Sequence, residues 1–108
     1  METEQYIKCF RTKSRESHIV AMRQALCYYL YKEDIPCTII SKVMGNARWN
    51  IYLSIYKMRD LLEVGDKMAK RAYDEISLHS IRIVPATVDG KIMTRKIGYK
   101  LIIDNIIV

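Results

Sequence analysis

The sequence predicts a mainly helical protein closed by a C-terminal β-hairpin, with a helix-turn-helix core and a β tail. Three observations carry that expectation. Apolar residues recur at three- and four-residue spacing from Ile19 to Ile76, the period of amphipathic helices. Gly45 and Gly65 punctuate this stretch, at places where helices end in a left-handed residue. After Ser77 the chain turns to β-branched residues in partial alternation around Asp89-Gly90, a two-residue hairpin signal.

Residues 1–13 read as an arm, polar at first, with Tyr6, Ile7 and Phe10 able to dock as a short helical turn. Ser14 suits the N-cap of a first helix from Arg15 to about Lys32, because its hydroxyl accepts an early backbone N–H. Its apolar face is Ile19, Met22, Leu26 and Leu30, joined by Val20, Ala25 and Tyr29. Pro36 opens a short second helix, where its missing N–H costs nothing. Ile39, Ile40 and Val43 form that helix's buried side and Gly45 ends it. Asn46 is placed to cap a third helix with core face Ile51, Ile55, Met58 and Leu62. Gly65 closes it. Asp66 caps a fourth helix to about Ser77, with Met68, Ala72 and Ile76 inward. The terminal residues "NIIV" suggest a short third strand after a turn at Asp104-Asn105. The expected division is 1–78 for the helical unit and 79–108 for the β tail.

The totals bound the function. A chain of 108 residues, half of them apolar, can bury a real core without staples. A net charge of +6 and a pI near 9.3 favour anionic partners, nucleic acid first. Lys8, Arg11, Lys13 and Arg15 fall together with no carboxylate between Glu4 and Glu16. Cys9, Cys27 and Cys37 are an odd count without a CxxC pair, which reads as reduced thiols in a cytoplasmic protein. "METEQYIKCF" lacks the apolar segment of a signal peptide. No window approaches the ~20 apolar residues of a membrane span, so no membrane partner is expected.

The segment from Pro36 through a glycine turn into "ARWNIY" has the helix-turn-helix plan. A helix fits the major groove and offers its first turns to base edges. There Arg48 suits guanine or a phosphate, Asn50 suits adenine, and Trp49 suits a sugar or a thymine methyl. Neither Arg48 nor Asn50 shares the Ile51/Ile55 direction. The same spacing also describes an ordinary αα-hairpin with Trp49 as a half-buried packing residue. Arg23 must leave the core side of its helix, either toward DNA or toward a carboxylate. Lys13, Lys42 and Lys57 are weaker candidates, since lone lysines are usually solvated.

Tyr28, Tyr29 and Tyr31 point in different directions, so one or two pack and the rest lie at a rim. Tyr52 and Tyr56 sit one turn apart, off the Ile51/Ile55 face. His18, His79 and the cysteines lack metal-ligand spacing, so no metal or cofactor is expected. No nucleophile lies beside a base and no phosphate loop is present, so the expected chemistry is recognition, not catalysis. The hairpin has three readings: a wing gripping phosphates through Arg82, Arg95, Lys96 and Lys100, an edge pairing with a second copy as a homodimer, or a cover for the helical core.

Beyond spacing, "KSRESHIVAMRQALCYYLYKE", a short helix, a glycine turn and "NIYLSIYKMRDLLEVGD" resemble the C-terminal DNA-binding domain of the bacterial replication initiator DnaA. Ser14-Arg15, Ile19-Val20, Arg23-Gln24, Tyr29-Leu30, Gly45 and Lys57-Met58 follow that family's order, over residues 6–77. The chain departs from the family at Ala47-Arg48-Trp49-Asn50, which replaces Asp-His-Ser/Thr-Thr, and its segment before the turn is about two residues shorter. It lacks the initiator's ATPase module, and the β tail has no counterpart there. The resemblance implies that Arg23 reaches a minor groove, that Arg48, Trp49 and Asn50 take the major-groove positions, and that Arg15 and the basic arm face phosphates.

The expected function is therefore sequence-specific binding of double-stranded DNA, in replication or transcription control of a bacterium, phage or mobile element. The candidate contacts are Lys13, Arg15, Arg23, Lys42, Arg48, Trp49, Asn50 and Lys57. The rivals are a protein-interaction adaptor using Trp49, Tyr52 and Tyr56, and an assembly subunit built through the β tail.

Overall fold

The structure is a computed structural model that describes residues 7–8, 15–85, 87–88, 91–92 and 99–107. It is mainly helical with an antiparallel β-hairpin at the C-terminus. Helix α1 spans Ser17–Lys32, α2 Cys37–Met44, α3 Arg48–Glu63 and α4 Lys67–Ser77. The strands are β1 Ile81–Pro85, β2 Thr87–Val88, β3 Lys91–Ile92, β4 Tyr99–Ile103 and β5 Ile106–Ile107.

Three of the helices end in the same way. Asp34, Gly45 and Gly65 take left-handed φ values of 62°, 70° and 74°. The next amide in each case reaches back five residues: Ile35 to Leu30, Asn46 to Ser41 and Asp66 to Leu61. This closure satisfies carbonyls that a helix end leaves open. It also corrects one expectation. The Asn46 amide is tied to the end of α2, and Ser41 Oγ donates to the Asn46 carbonyl. Helix α3 therefore starts one residue later, with Ala47 at the N-cap position and no side-chain cap.

Helix α1 likewise starts at Ser17 with Glu16 before it, two residues later than the spacing suggested. Ser14, Tyr6 and Phe10 lie outside the described residues. At α4 the Asp66 carboxylate accepts from the Ala69 amide at 2.9 Å, the cap that the sequence indicated. The inward register of α4 is Ala69, Ala72 and Ile76, whereas Met68 is 45% exposed. Met68 lies about a quarter-turn from the middle of that stripe, since each residue advances 100°.

Helix α1 packs on α3 and α4, and α2 lies against α3. Tyr28 of α1 meets Tyr73 of α4 edge-on with ring centroids 5.5 Å apart, while Tyr31 stays exposed. Burial and the neighbouring Tyr28 raise the Tyr73 pKa.

The sheet order is β1-β4-β5, all antiparallel, and β2-β3 form a separate two-residue ladder. Ile81 pairs with Ile103 and Pro85 with Tyr99. Val88 pairs with Lys91, so this ladder brackets the expected Asp89-Gly90 turn, whose residues lie outside the described set. The expected third strand is β5, entered through Asp104 and Asn105 with φ of 51° and 68°, angles that short polar side chains tolerate. Asp104 also ties this turn to the end of α4. Its carboxylate accepts from the Ser80 amide at 2.8 Å and meets the His79 ring, and its own amide donates to the Ser80 carbonyl.

Strand β4 lies against α2. Leu101 and Ile103 are buried in the same cluster as Leu26, Ile40, Ile51, Ile55, Met58 and Ile76. One core therefore joins helices and sheet. No described polar or charged residue is buried in it.

Candidate functional site

A crevice of about 130 Å³ runs between α1, the α2–α3 turn and the start of α3. Its walls are Val20, Arg23, Gln24 and Cys27 from α1, Met44 from the end of α2, Asn46 from the turn, and Asn50 and Ser54 from α3. Asn50 and Ser54 are four residues apart, so they stack along one flank of α3, with Asn46 just before its first turn. Arg23 faces this flank from one turn below the buried Cys27. The left-handed closure at Gly45 holds Asn46 at the end of α2.

A second hollow of about 390 Å³ adjoins the first, sharing Val20 and Gln24. It adds Arg15 and Lys57, and its one acidic residue is Asp66, which is engaged by the Ala69 amide. The crevice itself has no carboxylate in its wall. The paired concavities thus present three cations and several amide and hydroxyl groups on one side of the protein, a surface chemically suited to phosphates and base edges.

Burial raises the Cys27 thiol to about 12 from an ordinary 9.0, helped by nearby Cys37 and opposed by Arg23. The folded chain holds this proton longer than the unfolded chain does. Its stabilising contribution is therefore complete below pH 9.0 and is lost as pH rises toward about 12. Between those limits, stability should fall steadily with pH from this group. Urea midpoints measured from pH 8 upward check it: Cys27→Ala should show the shallower alkaline decline. Parallel declines for parent and variant would contradict this account.

The other candidates separate. Arg48, Trp49 and Asn50 are all exposed, but only Asn50 lines the crevice. Successive residues of a helix are 100° apart, so Arg48 falls on the opposite flank. There it adjoins Tyr52, whose pKa is raised first by hydrogen bonding with Cys37 and lowered by Arg48. Trp49 is 71% exposed and points away from the core, so it is not a half-buried packing residue. Tyr52 and Tyr56 stack with centroids 6.3 Å apart, and the Arg59 guanidinium lies 5.1 Å from the centre of the Tyr56 ring. Lys42 is not in either concavity; its ammonium lies over Tyr99 of β4 at 5.7 Å. Lys13 lies outside the described residues, as do Arg95 and Lys96.

Gln24, Asn46 and Ser54 belong to the crevice and were not among the sequence candidates. The Asn46-Asn50-Ser54 spacing was the available signal for two of them. A further hollow of about 440 Å³ is lined from α1 and α4 alone, by Met22 and Met68 with His18, Lys67, Arg71 and Glu75 around them. Among the described residues no group of three His, Cys, Asp or Glu side chains is placed to hold a metal ion. No described helix is long and apolar enough to cross a membrane. Comparison with protein-family models, with the curated proteins and with the solved structures found no match to this chain.

Proposed function

We propose that this chain binds double-stranded DNA, with the start of α3 in the major groove and the α1 side of the crevice against the backbone. The observation that carries the reading is the joining of Arg23 and Asn50 in one carboxylate-free crevice, beside a hollow lined by Arg15 and Lys57. The net charge of +6 and the resemblance of the helical segment to the DnaA C-terminal domain support it. In this reading Arg15, Arg23 and Lys57 neutralise phosphates, which supplies affinity and salt dependence. Asn50 reads a base edge and Arg48 takes a base or phosphate on the other wall of the groove. Trp49 packs on a sugar or a thymine methyl. The protein acts in the cytoplasm, in replication or transcription control of a bacterium, phage or mobile element.

Titration with labelled duplex at several salt concentrations tests this. Affinity is expected to fall linearly on a double-logarithmic plot, by ~0.9 log units per log unit of salt for each phosphate contacted. Arg23→Ala and Arg48→Ala should each weaken binding while leaving the melting temperature nearly unchanged. Salt-independent retention, or two variants that bind as the parent does, would refute the reading.

A further inference from the structure

The outer face of α3 is unusual for a helix that covers a core on its other side. Trp49, Tyr52, Leu53 and Tyr56 are 71%, 40%, 48% and 47% exposed. They lie opposite Ile51, Ile55 and Met58, which are almost fully buried. Trp49, Tyr52, Tyr56, Arg59 and Glu63 follow the alternating three- and four-residue steps of a helix-pairing seam. A contiguous patch of this kind marks an interaction surface more often than bare solvent contact.

The charges on α3 say what covers the patch. The first turn of the helix carries Arg48 and no acidic residue, and the last turn carries no basic residue. Glu63 sits at the C-terminal end instead, while Asp60 beside it is paired with Arg59 at 3.2 Å. Both placements oppose the helix's own dipole, which favours anions at the N-terminus and cations at the C-terminus. Neither Arg48 nor Glu63 is in an ion pair among the described residues. A second α3 laid antiparallel reverses both faults at once. With the twofold axis at Tyr56, Tyr56 meets its own copy, Trp49 lies opposite Glu63, and Arg48 reaches the carboxylate end of the other helix.

We infer that α3 pairs antiparallel with α3 of a second copy of this chain, through Trp49, Tyr52, Leu53 and Tyr56, with Arg48 facing Glu63 across the twofold axis. The contact is isologous, so each polar pair forms twice. It covers on the order of 1,000 Å² in total, the low end for a specific interface, so association is weak and reversible. Duplex DNA is the other occupant for which this helix carries some of the right groups, yet Glu63 at its C-terminal end repels phosphate. Pairing also covers Arg48 and Trp49, so a paired chain withholds part of the surface assigned above to DNA. The inference itself does not depend on that assignment.

Sedimentation equilibrium at low salt, from micromolar to several hundred micromolar protein without DNA, tests it. A reversible monomer–dimer equilibrium is expected. Trp49 is the only tryptophan, so its emission should shift to the blue across the same concentration range. Arg48→Glu and Glu63→Arg should each weaken the dimer by ~10-fold or more. The double variant should recover most of the loss, and Tyr56→Ala should weaken the dimer without changing helical circular dichroism. A chain that stays monomeric throughout, or charge reversals that do not rescue one another, would overturn the inference. A dimer that survives Tyr56→Ala and both reversals would place the contact elsewhere and overturn it equally.

Discussion

Replacing Ile103 by alanine is expected to cost about 2–5 kcal/mol and to lower the stability of the helices as much as that of the sheet. Ile103 is fully buried, pairs with Ile81 on one side and Ile106 on the other, and ends a strand that lies against α2. Its side chain belongs to one cluster with Leu26, Ile40 and Ile76, so a cavity there is felt by α1, α2 and α4. The cost is large because a close-packed interior relaxes only partly around a missing group. Urea unfolding followed by far-UV circular dichroism should show one transition, moved to a lower midpoint with an unchanged slope. Lys100→Ala, an exposed position on the same strand, should stay within about 0.5 kcal/mol of the parent. A helical signal that unfolds at the parental midpoint in Ile103→Ala would mean that the tail folds apart from the helices.

This prediction marks where the sequence was legible. Element order could be read because its signals are local: Pro36, Gly45, Gly65 and Asp66 act on their own backbones, and all four mark helix boundaries in the structure. The Asp104-Asn105 turn was readable for the same reason, since left-handed φ selects those residue types. Two local signals misled. Asn46 is a good cap residue by type, but its amide and carbonyl are both used in closing α2. Met68 is apolar and on the expected period, yet the cap at Asp66 sets a register in which Ala69 faces inward.

Joining of distant segments was less legible. Apolar "IIV" said only that the tail must pack somewhere. That Leu101 and Ile103 pack into the helical core depends on the β1–β4 register, which no short-range rule sets. The candidate site shows the same limit. Arg48, Trp49 and Asn50 are consecutive in sequence, but the 100° step sends them to different surroundings. Arg23 and Asn50, separated by 27 positions, meet in one crevice. Lys42 looked like a free cation and lies over Tyr99, which is distant in sequence.

That meeting of Arg23 and Asn50 predicts how the two residues divide the work on DNA, if the chain binds it as proposed. Against a sequence selected from random duplexes, Arg23→Ala combined with Asn50→Ala should lose on the order of 10²-fold in affinity, with the Asn50 base contact worth ~1–3 kcal/mol of it. The single variants should differ in kind. Asn50→Ala should weaken the selected sequence and leave random duplex nearly unchanged, because an amide reads a base edge. Arg23→Ala should weaken both and lower the salt slope by about one, because it meets the backbone. The two side chains share one small crevice, so their effects should couple by about 0.5–3 kcal/mol instead of adding. Binding of selected and random duplexes by the parent, both single variants and the double variant measures all of this. If Asn50→Ala weakens both duplexes equally, Asn50 is not reading a base. If the losses simply add, the crevice is not acting as one site.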